Sequence, residues 1–100
     1  MNAVDENGCT PLAVAVLVNK LEMIKLLLQH KDIPVNTKIN YYYTTLHYDA
    51  RFGYAECVQI LLKHKEINEH LLNSQHRTAL DKALQNGHID SIKLFLRVDK

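Results

Sequence analysis

The chain has 100 residues, 47% of them hydrophobic and 23% charged, enough apolar material for one ordinary domain. A net charge of +1 gives no electrostatic reason to expect nucleic acid or an anionic membrane as the partner. Two cysteines far apart in sequence, Cys9 and Cys57, make neither a metal pair nor a disulfide framework, so free thiols in a reducing intracellular setting are expected.

In chain order, Asn7-Gly8 reads as a tight turn, and Thr10-Pro11 as a helix start. Thr caps an orphan amide there, and Pro at the first helical position gives up a donor that had no partner. Leu12 to Val18 is apolar without a break, the mark of a helix covered on more than one side. Asn19, which tolerates a left-handed backbone, ends it, and a second helix is expected from Leu21 to about Gln29 with Leu21, Ile24, Leu27 and Leu28 on one stripe. A polar connection broken by Pro34 runs from His30 to Tyr43. The helix pair then starts again, Thr45 to Phe52 and Ala55 to His64 about a corner at Gly53, and once more as Ala79 to Asn86 and Ile89 to Arg97. The apolar runs Val14 to Val18 and Leu26 to Leu28 are too short to span a bilayer, and no charged n-region precedes an apolar stretch, so neither a membrane span nor a signal peptide is expected.

Thr10, Thr44 and Thr78 recur at intervals of 34 residues, as do Leu12, Leu46 and Leu80, then Ile24, Val58 and Ile92, then Leu28, Leu62 and Leu96. An internal repeat of this length decides the architecture. Each first helix spans only about eight residues, below the length at which an isolated helix holds in water, so the units must stack and share one continuous core.

These residues resemble the ankyrin repeat: a turn, then T-P-L-H-x-A-A, a Gly corner, and a second helix closing on leucines. Thr10-Pro11-Leu12, Thr44-Thr45-Leu46-His47 and Thr78-Ala79-Leu80 match the opening. Ala15, Ala50 and Ala83 match the small positions, Gly53 and Gly87 the corner, and Leu27-Leu28 and Leu61-Leu62 the close. The resemblance implies an all-α solenoid of stacked helix-turn-helix units with hairpin-like connecting loops, filling residues 1–100 as repeats at about 2–35, 36–69 and 70–100. The other family with this period, the tetratricopeptide repeat, wants an early Trp, and this chain has none.

The departures are specific. Tyr42 and His76 stand where the family, and Gly8 here, use glycine to reach positive φ, so distorted or looser finger loops are expected. Asp49 stands where alanine lets neighbouring first helices approach; a buried lone carboxylate is costly, so Asp49 needs either a partner or an exposed site.

Six histidines invite a metal, but no H-E-x-x-H, C-x-x-C or paired Cys-His spacing is present. His47 is the histidine that in this family bonds within its own turn, and His30 and His64, each before Lys, read as cations at helix ends. Cys57 falls on an inward position where a thiol is inert. No G-x-S-x-G, Walker loop or Gly-rich cradle occurs; no enzyme activity, metal or cofactor is expected.

The family binds proteins through its finger tips and the inward face of its first helices. Carried over by position, that surface is Glu6, Asn7, Cys9, Leu17 and Val18 in the first unit. In the second it is Lys38, Asn40, Tyr41, Tyr43, Arg51 and Phe52, and in the third Leu72, Ser74, Gln75, Arg77, Gln85 and Asn86. Its centre, Tyr41, Tyr43, Arg51 and Phe52, has the composition of interface hot spots, while Tyr42 is expected to pack on the neighbouring turn. The expected function is a protein-protein interaction module in the cytoplasm or nucleus, or in a host cell's cytosol for a secreted effector. The other reading is the substrate-recruiting or scaffold part of a larger enzyme or effector. Ends that look uncapped, with Val14, Val16 and Val18 exposed in the first unit and Phe95-Leu96-Arg97 closing the third, favour that second reading, and also allow a monomer that self-associates weakly.

Overall fold

The computed structural model describes residues 10–30, 32–38 and 42–97. Among these residues six helices form three pairs: α1 (Pro11–Leu17) with α2 (Leu21–Leu28), α3 (Thr45–Phe52) with α4 (Ala55–Leu62), and α5 (Ala79–Gln85) with α6 (Ile89–Leu96). No strand occurs among the described residues. α1, α3 and α5 pack side by side as one row, and α2, α4 and α6 as a second row behind it.

Each pair is built from the same local bonds one repeat apart. Thr10 Oγ1 accepts from Ala13 N at 3.2 Å, Thr44 Oγ1 from His47 N at 3.3 Å, and Thr78 Oγ1 from Asp81 N at 3.2 Å. In the second and third units the side chain three residues on returns the bond, His47 Nδ1 accepting from Thr44 N and Asp81 Oδ2 from Thr78 N. At the corner, Lys20 N donates to Ala15 O, Tyr54 N to Asp49 O, and His88 N to Ala83 O, all at 3.0–3.1 Å. Asn19, Gly53 and Gly87 reach this geometry with φ of 53°, 75° and 68°.

The shared core runs through both rows: Leu12, Val16 and Ile24 in the first pair, Leu46, Val58 and Leu61 in the second, Ala79, Ala83 and Phe95 in the third. Ile33 and Val35, from the first connection, close it from below. Two details correct the sequence reading. Val16 is fully buried while Val14 and Val18 are exposed. Tyr42 and His76 take φ of 60° and 61°, the conformation glycine would have supplied, and the finger of the third unit is closed rather than distorted. There, His76 N donates to Asn73 O, and Asn73 Oδ1 accepts from both Gln75 N and Arg77 N. His30 and His64 occupy matching places after α2 and α4, each Nδ1 accepting a backbone amide, from Asp32 and Glu66 respectively.

Asn36 laces the first connection to the second, its Nδ2 donating to Glu66 O at 2.7 Å and its Oδ1 accepting from Asn68 N at 2.8 Å. At the far end, Arg97 pairs with Glu69 at 2.7 Å.

Candidate interaction surface

The front row of helices carries a recess of about 400 Å³ between α3 and α5, roofed by the tip of the third finger. Tyr43 and Arg51 line one wall, Lys82, Gln85 and Asn86 the other, and Ser74 and Gln75 the top. Six of these seven residues are among those the sequence places on the contact strip. They converge because α3 and α5 are held in register by two histidines. His47, buried in α3, directs Nε2 to Arg77 O at 2.9 Å while its Nδ1 faces the Thr44 cap; with Nε2 the donor, Nδ1 must be the acceptor. His88 Nε2 donates to Arg51 O at 2.8 Å. Burial lowers the His47 pKa below the ordinary 6.5, partly offset by the Arg77 carbonyl and reinforced by Lys38 and Lys82.

The remaining strip residues lie outside this recess. Leu17 is half-buried and Val18 exposed at the end of α1. Phe52 is 42% exposed and continues a row of rings: Tyr43 to Tyr48 at 5.0 Å, Tyr48 to Phe52 at 6.2 Å, and Phe52 to Tyr54 at 5.6 Å between centroids. Arg77 is exposed. Lys38 and Leu72 line a second, shallower recess of about 300 Å³ between the finger tips, with Tyr42, Asn73, Ser74 and His76. Glu6, Asn7, Cys9, Asn40 and Tyr41 lie outside the described residues.

The tyrosine run is reversed relative to expectation. Tyr43 is 8% exposed, packed against Ala13 and Tyr48, and still lines the recess. Tyr42, expected to pack, is 60% exposed with the Lys38 ammonium 5.6 Å from its ring centre. The positive φ at Tyr42 turns the chain there, and Tyr43 is the ring that falls under α3.

Lys82 was not anticipated. Only 8% exposed, it sets Nζ 2.9 Å from Gln85 Oε1 and 5.6 Å from the centre of the Tyr43 ring. The available signal was helical spacing: Lys82 lies one turn before Gln85 and Asn86 and shares their face.

Asp49 is fully buried in α3. The Cys57 thiol is close enough to interact with it, yet neither carboxylate oxygen reaches hydrogen-bonding geometry with any group. Burial holds its pKa well above the ordinary 3.8, and burial together with the Asp49 charge pushes the Cys57 thiol far above its usual range. The pair supplies no accessible nucleophile. Among the described residues no cluster of three or more His, Cys, Asp or Glu is placed to hold a metal ion, and no helix is long and apolar enough to cross a membrane.

Comparison with known families agrees with this geometry. A model described as ankyrin repeats in three copies matches residues 32–100, and a single ankyrin-repeat model matches residues 7–37. The chain belongs to the ankyrin-repeat family. Ankyrin repeats are in general non-catalytic protein-protein interaction modules. Over 90 residues the chain is 36% identical to the human SMC5-SMC6 complex localization factor protein 1, and 34% identical to the protein of that name from Bos taurus. The match covers 90% of this chain but only 8% of either relative.

Proposed function

We propose that this ankyrin-repeat chain docks a protein segment on the front of α3 and α5, with the third finger as the roof of the site. The observation that carries the reading is the recess between those helices. It gathers Arg51, Ser74, Gln75, Gln85 and Asn86 from three separated stretches, and all are contact positions in the family resemblance. A concave wall with several convergent polar groups suits a peptide better than a flat apolar patch does. A photo-cross-linking side chain installed at Gln85 gives adducts with the bound partner, and one at Gln59, exposed on α4, gives none. Adducts from position 59 alone put the partner on the back row and end this assignment.

A second reading adds the cellular setting. The relatives are named localization factors, and this chain matches 8% of their length. In that reading the module works in the nucleus, bringing a larger assembly to its site. Fluorescently tagged chain in cells of its source concentrates in the nucleus in a manner abolished by Arg51→Glu; uniform distribution, or nuclear retention indifferent to that change, counts against it.

A further inference from the structure

The recess between α3 and α5 holds positive charge that the described residues do not neutralise. Lys82 is nearly buried, yet among the described residues its ammonium meets neutral groups, the Gln85 amide at 2.9 Å and the face of Tyr43. Arg51, on the facing wall, sets its guanidinium 5.7 Å from the Phe52 ring centre. Among the described residues neither cation has a carboxylate within ion-pair distance; the pairs that form are Lys25 with Glu22 and Arg97 with Glu69, both away from this recess. Asp81, the acid on the same helix, accepts the Thr78 amide in the α5 cap. Among the described residues no acid lines the recess.

An ammonium taken out of water without a counter-ion is unfavourable, and the cost falls when an anion arrives. The recess offers that anion a preformed setting. Arg51 brings a planar fork suited to a carboxylate, Lys82 a point charge, and Ser74, Gln75 and Asn86 supply hydrogen-bonding groups for flanking backbone. Its volume of about 400 Å³ takes a side chain with part of the main chain on either side.

Resting on the docking reading above, we propose that the recess is a carboxylate subsite: an Asp or Glu side chain of an extended partner segment enters between Arg51 and Lys82. The partner segment is therefore acidic at one fixed position, and its affinity falls with rising ionic strength.

The test is selection of a random dodecapeptide library on the whole 100-residue chain, followed by fluorescence anisotropy with the recovered peptides. Recovered peptides share an Asp or Glu at one position, and replacing that residue by Asn or Gln weakens binding about tenfold or more. Lys82→Met and Arg51→Gln each produce a similar loss, whereas Lys93→Gln, at an exposed position of α6, leaves binding unchanged. Arg51 is exposed, so its variant remains informative even where Lys82→Met perturbs the fold. Peptides that bind at this face without a shared acid, or whose acid is indifferent to both variants, overturn the carboxylate subsite and leave docking intact. Recovery of no binding peptide at all counts against docking itself.

Discussion

The two seams of this solenoid share one geometry but are held by different chemistry. Between the second and third units, His47 bonds Arg77 O and His88 bonds Arg51 O, so each unit supplies an imidazole to the other's backbone. One repeat earlier, the residues in those positions are Ala13 and Tyr54, and the first seam is made by packing, Ala13 lying under Tyr43 and Tyr48. Thr45 Oγ1 adds one long bond to Val35 O at 3.5 Å. A stacked repeat thus needs contact along its seam, while the polar bonds that set register are optional. The seam carrying the polar bonds is also the one that frames the recess.

The hydrogen-bonded seam makes its corner glycine unusually demanding, and breaking it there gives the largest expected effect. Gly53 has φ of 75°, and a Cβ built on it would stand 2.6 Å from His88 Nδ1. Gly87 has φ of 68°, but a Cβ there meets nothing within 4 Å. Gly53→Ala therefore combines left-handed strain with a clash and is expected to cost roughly 3 kcal/mol, against about 1 kcal/mol for Gly87→Ala. Urea midpoints at unchanged m-value measure both. Equal costs at the two corners would mean that the His88 ring moves aside freely and that the second seam is not fixed by it.

His47 is the next test. Removing the ring strands the buried Thr44 amide and the Arg77 carbonyl, so His47→Ala is expected to cost about 2 kcal/mol. The loss also has a pH signature. Because burial lowers the folded-state pKa of His47, the unfolded chain binds the proton more readily. Its contribution to stability is complete above the unfolded value of 6.5 and is lost as pH falls from there through the lowered folded value. Thermal unfolding from pH 8 to pH 5 is thus steeper in the parent than in His47→Gln. A parent curve that runs parallel to that of His47→Gln over that range would show His47 to be solvated in the folded chain.

The contrast also explains what could be read from the residues. The helix pairs, their Thr caps and the corners at Asn19, Gly53 and Gly87 were legible because each is a local backbone requirement repeated at one interval. Most of the recess was legible for the same reason: Arg51 and Gln85 sit at one position in successive repeats. What was hidden depends on neighbours distant in sequence. The unbroken run Leu12 to Val18 carries no polar residue to fix its phase, so Val16 could not be told from Val14 and Val18. Three successive tyrosines likewise give no alternation, and only the turn at Tyr42 decides that Tyr43 goes under α3. Lys82 is buried by Tyr43 and Gln85, whose approach belongs to the packed seam rather than to either segment alone.

Asp49 offers the smallest expected change and sharpens the comparison, because it lies in the helix that both seams share. Its counterparts in the first and third units are Ala15 and Ala83, both fully buried and small, whereas Asp49 brings a carboxyl group to the same depth with no hydrogen bond to either oxygen. A raised folded-state pKa means that the folded chain holds the proton more tightly than the unfolded chain. Stability is therefore greatest below the ordinary 3.8 and is lost as pH rises through the raised value. Asp49→Asn keeps the shape and removes the ionisation, so it is expected to stabilise at pH 7.5 by about 1 kcal/mol or more, with the gain shrinking toward zero in acid. The pH dependence runs opposite to that of His47. In the double variant with His47→Gln, the acid-side and alkaline-side slopes both flatten, and the two changes add where their sites do not couple. A gain from Asp49→Asn that stayed constant from pH 4 to pH 7.5 would mean the carboxyl group is equally charged in both states, and that the second unit accommodates a buried anion by contacts other than the Cys57 thiol.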